Sequence, residues 1–230
     1  MDTENLIHQK QQNNPAIIAG MAMTFLLPVI LTIIVSGLNI SSFDKLFYSR
    51  FIYWFTALFL FFYARQVERQ PMLLWKEENN EIGFFLISVV VLYLLFIGAA
   101  FVSAIPMLFG FRESNEVLNR IAQLFKGHEA IMIFTAFTAG VTEELIFRGY
   151  LLTRLFKYFK EPYLPVIISS LMFSALHYKY HSLREFVASF LIGAIFSVYY
   201  IKYRNIKALI VTHFLIDFIS LTLAQHIKVK

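Results

Sequence analysis

The sequence predicts an all-α fold, a polytopic transmembrane bundle of about seven spanning helices, with six to eight compatible with the pattern. Three observations lead there. Of 230 residues, 58% are hydrophobic and 15% are charged, where soluble domains carry roughly 25% charged residues. A soluble core of this length could not hide so much apolar surface, to which phenylalanine alone contributes 26 side chains. The lysines and arginines sit in short connectors between apolar runs, where they meet lipid head groups and bias topology.

Residues 1–14 are polar and form an exposed tail. Pro15–Leu38 is the first span. A cleaved signal peptide needs a basic start, a short apolar core and a small-residue cleavage site. This run is longer, and only Lys10 precedes it as a basic residue, so the helix is expected to be retained. Segment two covers about Phe51–Ala64 and segment three about Ile82–Ile105. Segment four starts near Ile131 and contains TAGVTEELIFRGYLL, Thr138–Leu152. Segments five, six and seven cover about Tyr163–His177, Phe186–Ile201 and Ile206–Ala224. A full span takes about 20 residues, so segments two and five are short and segment four is interrupted by charge. Residues 15–127 supply the N-terminal helices and a connector, and 128–225 the helices rich in ionisable groups, all within one membrane domain.

Two connectors have character. Arg69–Glu81 (RQPMLLWKEENNE) mixes Leu and Trp with charge, as an interfacial segment does. Arg112–Glu129 places Val117, Leu118, Ile121, Leu124 and Phe125 at helical spacing. That pattern gives an amphipathic helix on the membrane surface or over the bundle, either an ordinary loop helix or a lid. Loop charge leaves orientation open. Seven alternating spans put ten Lys and Arg on the N-terminal side, among them Lys10, Arg154 and Lys160, and nine on the other, among them Arg50, Arg112, Lys228 and Lys230.

The net charge of +5 comes without the basic, aromatic-interleaved patch that tracks nucleic acid, so none is expected as a partner. The chain has no cysteine. That removes disulfides, thiol nucleophiles, Cys-based zinc sites and iron–sulfur clusters. Hydrolytic chemistry would fall to His, Glu, Asp, Ser or Thr.

Ionisable residues inside spans cost about 2.5–3.5 kcal/mol each at a helix centre and are functional candidates by default. Segment four has Glu143, Glu144 and Arg148, segment five ends in His177, and segment seven has His213 and Asp217. Glu144 and Arg148 are four apart and share a helix face, while Glu143 lies about 100° around. One carboxylate is thereby neutralised and the other kept for chemistry. His213 and Asp217 are also four apart, so Asp217 is expected to accept a hydrogen bond from His213 and fix its tautomer. Ala136, Thr138, Ala139 and Gly140 are small enough to let a neighbouring helix close in. Any one of these groups alone could be structural, a locked ion pair or an interfacial histidine. Three spans each contributing a carboxylate or imidazole are harder to dismiss. Proton-coupled carriers bury the same residue types. The zinc-peptidase pattern H-E-x-x-H is absent, although His177 and His181 are spaced four apart as zinc ligands can be.

EELIFR (Glu143–Arg148), FSALH (Phe173–His177) and HFLID (His213–Asp217) follow one another as EExxxR, FxxxH and His-x-x-x-Asn/Asp. In order and separation they resemble the CPBP, or Abi, family of intramembrane proteases. That family includes type II CAAX prenyl endopeptidases and bacteriocin-processing or self-immunity proteins. The resemblance covers about residues 128–225. It implies a helical bundle with an internal, water-accessible site. Glu143 then matches the glutamate that activates water, His177 the histidine that helps bind and polarise it, and His213 a group stabilising the oxyanion. Asp217 matches the family's Asn or Asp, and Glu144 and Arg148 the supporting charges. The resemblance implies a glutamate-type mechanism without cofactor, with zinc as the alternative, held by Glu143, His177 and His213. Peptide hydrolysis without an activated Ser or Cys needs a general base for water, and a carboxylate in a dry pocket suits that task. An Asn amide at position 217 could donate to the oxyanion, whereas an ionised Asp cannot.

The expected function is therefore an intramembrane endopeptidase acting on a membrane-associated protein or peptide. A non-enzymatic immunity or binding protein of the same fold and a proton-coupled carrier are the alternatives. The compact length fits an integral protein of a bacterial cytoplasmic membrane, where leader-peptide or bacteriocin processing is the natural task. Helix depth leaves one misfit. Glu143 and His213 come out near mid-bilayer, but His177 is several ångströms shallower.

Overall fold

The structure is a computed structural model that describes residues 14–111, 116–159 and 161–226. Residues 1–13 of the polar tail, with Lys10, lie outside them, as do Arg112, Lys160, Lys228 and Lys230. Among the described residues every regular element is helical, and six helices are long and apolar enough to cross a membrane. The chain is an integral membrane protein with an all-α, polytopic bundle.

Helix α1 (Pro15–Gly37) is capped by Asn14, whose side chain accepts from the Ala16 N–H at 3.0 Å, and begins with a proline whose missing N–H costs nothing there. Helix α2 (Ser42–Tyr63) starts nine residues before the expected Phe51. Ser41 caps it, accepting from the Asp44 N–H at 3.0 Å while its hydroxyl donates to the Asp44 carboxylate at 2.7 Å. Lys45 donates to the Ser36 carbonyl at 2.7 Å. Charges that mark a connector by composition are thus absorbed into a helix start. A π-helical turn, Ala64–Glu68, extends α2 until Arg69 stops it at φ 55°. Helix α3 (Ile82–Ser103) leads into the short α4 (Ile105–Leu108) and α5 (Glu116–Leu124).

The central span joins α6 (Glu129–Glu144), a π-helical stretch (Leu145–Leu152) and α7 (Thr153–Tyr158). It is 61% buried over its apolar window, against 17–39% for the other spans, which makes it the axis of the bundle. Helix α8 (Tyr163–Leu176) has 14 residues, about 21 Å at roughly 1.5 Å each. That falls short of a full crossing, so the expected seven spans reduce to six and one partial. A 3-10 turn (His177–Tyr180) follows. Helices α9 (Leu183–Tyr203) and α10 (Ile206–Gln225) begin at the caps Ser182 and Asn205.

Aromatic contacts fix the direction of α2 against α6. Phe47 and Phe51 both reach Phe134, Trp54 reaches Phe137, and the Trp54 indole N–H donates to the Thr138 hydroxyl at 3.0 Å. Position numbers rise together, so the two helices are parallel. Trp54→Phe keeps a smaller aromatic ring in contact range of Phe137 and deletes that bond. It should lower stability in detergent by about 1 kcal/mol, the usual net worth of such a bond. Helix α10 is antiparallel to α6, with Leu221 packed on Met132 and Ile210 and Phe214 on Gly140.

Two expectations about charge and cover are refined. Arg154, counted as a loop cation, is buried. It pairs with Glu68 at 2.6 Å and lies over the Tyr150 ring, whose hydroxyl donates to Glu68. The cluster pins the end of α2 to the far end of the central span. The amphipathic connector does form a helix, α5, and it lies over the bundle with Ala122 and Phe125 fully buried. Gln123 donates to the Gln225 carbonyl at 3.2 Å.

Candidate active site

The two glutamates close the last turn of α6, and the backbone widens into the π-helical stretch immediately after them. Such wide turns are rare and recur at functional sites. Here the sequence offers only its small residue: a Cβ at Gly149 would overlap the Leu73 side chain.

Glu144 is fully buried, and one of its oxygens, Oε1, serves two partners. It accepts from Arg148 Nη1 at 2.9 Å and from His213 Nδ1 at 2.7 Å. A carboxylate only accepts, so Nδ1 carries the proton. The i, i+4 pair read from the sequence is present, but its acceptor also reaches across to α10. Arg148 in turn donates to the Gly193 carbonyl at 3.3 Å, with its guanidinium over the rings of Phe173 at 4.6 Å and Phe196 at 5.5 Å. One buried cation therefore ties the central span to α8 and α9.

His213 Nε2 faces Glu143 Oε2 at 3.9 Å and Asp217 Oδ1 at 3.8 Å. Neither distance is a hydrogen bond. The expected orientation of His213 by Asp217 is therefore corrected, since Glu144 from another helix holds the ring. His213 sits where α10 comes closest to α6, so a cross-helix acceptor lies nearer than the one a turn away on its own helix.

His177 follows the end of α8, and its Nδ1 lies 3.1 Å from the Phe173 carbonyl. A carbonyl cannot donate, so Nδ1 carries a proton, and in the neutral form of the ring Nε2 is the acceptor. The Phe173 ring lies 4.8 Å from His177 and 6.1 Å from His213, so it neighbours both imidazoles.

Glu143, His177, His213 and Asp217 all line one cavity of about 390 Å³. The cavity reaches from Glu143 on the central span to His177 and Tyr180 in the 3-10 turn. Ile121, in α5, and Phe125, just after it, also line it, so the amphipathic helix covers the chamber. Arg50, Tyr53 and Tyr180 line it too and were not singled out from the sequence. Arg50 stood one residue outside the expected segment two, and tyrosines in an aromatic-rich chain carry no distinguishing pattern. His181 is exposed, takes a left-handed backbone at φ 52° and does not share a helical face with His177. Among the described residues no three His, Cys, Asp or Glu side chains are arranged to hold a metal ion. The zinc set of Glu143, His177 and His213 is thus not preformed.

Residues 127–219 match the family model described as type II CAAX prenyl endopeptidase Rce1-like. Over that stretch the chain is similar to the CAAX-protease (CPBP) family. The match contains all three motifs and both histidines of the cavity, while the helices before α6 lie outside it. No curated protein and no solved structure matches the chain. The buried Glu–His cluster lies inside the matched stretch, in a chain whose helices are long and apolar enough to cross a membrane.

Proposed function

We propose that the protein is an intramembrane endopeptidase that hydrolyses a peptide bond in a membrane-associated protein or peptide, in the cytoplasmic membrane of a bacterium. The observation that carries this is the convergence of Glu143, His177 and His213, from three separate segments, on one cavity within the bundle.

The chemistry divides as follows. Glu143 takes a proton from the attacking water. His177 presents Nε2 to the same water and holds it in line. His213, with Nδ1 committed to Glu144, turns Nε2 toward Glu143. In its protonated form that nitrogen donates to the oxyanion of the tetrahedral intermediate. Glu144 and Arg148 are positioning residues, and Asp217 contributes charge beside Nε2 without donating. The catalytic segment is residues 128–225, and the earlier helices supply the wall formed by α2.

Comparative membrane proteomics of cells carrying wild type, Glu143→Ala or His177→Ala tests this and finds the substrate. General-base loss costs about 10²–10⁴-fold in rate, so wild type should yield a cleaved fragment that both variants lack at equal expression. A fragment made equally by Glu143→Ala overturns the assignment. A protective phenotype that survives both substitutions identifies an immunity or binding protein instead. Substrate flux in sealed liposomes, lost in Glu143→Gln with no cleavage anywhere, identifies a carrier. Cleavage abolished by chelation and restored by zinc reinstates the metal mechanism.

A further inference from the structure

We propose that Arg50 is a specificity-determining residue that binds a carboxylate of the substrate a few residues from the bond that is cut. The inference rests on the peptidase reading for its bond-cutting step, and on independent geometry for the carboxylate.

Arg50 lies on α2 and is 7% exposed, in a helix long and apolar enough to cross the membrane. A cation in such a place is costly unless something meets it. The two buried arginines of the central span are met by carboxylates, Arg148 by Glu144 and Arg154 by Glu68. Arg50 differs. Among the described residues no carboxylate lies within 4.0 Å of it. Its Nε and Nη2 both donate to the hydroxyl of Ser49, at 3.2 and 2.9 Å. The guanidinium packs 5.5 Å from the Tyr53 ring centre.

That arrangement leaves one edge of the fork in use and another open. Ser49 occupies the Nε–Nη2 edge. The end-on edge, formed by Nη1 and the second Nη2 hydrogen, has no partner among the described residues, and Arg50 lines the cavity. Two parallel N–H donors on a planar cation match the two oxygens of a carboxylate. Ser49 and Tyr53 hold the side chain in position, so little rotamer freedom remains to be lost on binding.

Its height in the bundle sets what the carboxylate belongs to. Parallel packing puts Arg50 level with Phe134, the ring its neighbour Phe51 touches. Glu143 lies nine residues further along α6, roughly 13 Å at about 1.5 Å per residue. An extended peptide covers that in roughly three or four residues at about 3.3–3.6 Å each. A peptide held at Glu143 and running toward the start of α2 brings an end group or side chain to Arg50. Tyr53 lies between, one turn of α2 from Arg50 and within electrostatic reach of both Arg50 and Glu143. The carboxylate could be a free C-terminus or an Asp or Glu side chain, and the test separates them.

The probes are three octapeptide libraries, each randomised over neutral residues. One has a free C-terminus, one a C-terminal amide, and one an amide with a single Glu. Each is offered to the full-length Glu143→Gln protein in detergent micelles, and captured peptides are counted by mass spectrometry. At least tenfold enrichment of a carboxylate-bearing library over the neutral amide is expected. The winning library names the source. Adding Arg50→Gln should abolish the enrichment, and Arg50→Lys should restore part of it, which a purely structural role for Arg50 would not produce. Equal capture of acid and neutral libraries overturns the proposal, as does a preference that survives Arg50→Gln in a monodisperse protein. Carboxylate preference retained in a protein that cleaves nothing in the proteomic comparison leaves Arg50 in place and refutes the peptidase reading instead.

Discussion

Arg148→Ala should lower stability by about 3–5 kcal/mol and abolish cleavage in the same step. The substitution leaves Glu144 fully buried with its ionic partner gone, in a bundle interior that cannot rehydrate it. It also removes the cation that packs over Phe173 and Phe196, and so the tie between the central span and α8 and α9. Activity falls because Glu144 is the acceptor that holds His213. A carboxylate that has lost its fixed charge partner is no longer held in place, and the imidazole moves with it. Arg148→Lys separates the two effects. It keeps a charge for Glu144 but cannot reach both Glu144 and the Gly193 carbonyl in the geometry of the fork. It should recover most of the stability and little of the activity. Unfolding in mixed detergent and SDS micelles reads the first, and fragment yield the second. An alanine variant within about 1 kcal/mol of wild type would show that the pair is not what holds this region together.

The sequence made the central motif legible because helical periodicity carries over when a helix is regular. Glu144 and Arg148 do pair at i, i+4, and the small residues before them do mark a close approach. Intrahelical spacing could not reveal what happens between helices. His213 and Asp217 share a face by the same rule, yet the ring hydrogen-bonds to Glu144, because α10 meets α6 at that level. The π-helical stretch was equally invisible, since no composition signal distinguishes it from ordinary helix. Arg50 was missed for a different reason. Asp44 and Lys45 look like a connector, but Ser41 and Ser36 satisfy them locally and the helix starts nine residues early. Moving that boundary turns Arg50 from a loop cation into a buried one lining the cavity of Glu143 and His177. The same blindness to tertiary contacts hid the Glu68–Arg154 cluster, whose partners are far apart in the chain.

Gly140→Ala should reduce cleavage by about 100-fold, the scale of loss that accompanies a misplacement of about 1 Å at a reacting centre. A Cβ built at Gly140 lies 2.8 Å from the Ile210 carbonyl oxygen and 3.0 Å from the Phe214 nitrogen. Both are backbone atoms of α10, so neither can swing aside as a side chain would, and the helices must separate. Phe214 adjoins His213, and Gly140 lies one turn before Glu144. Separation therefore lengthens the 2.7 Å bond from His213 to Glu144 before it disturbs anything else. Overpacking of this kind costs about 1–3 kcal/mol of stability, a smaller fraction of the fold's margin than of the site's. Gly98→Ala supplies the comparison. Nothing lies within 4 Å of a Cβ there, so it should keep wild-type cleavage. A Gly140→Ala protein that cleaves as wild type does would mean that α10 can retreat without taking His213 with it. The imidazole would then have to be held by something other than Glu144.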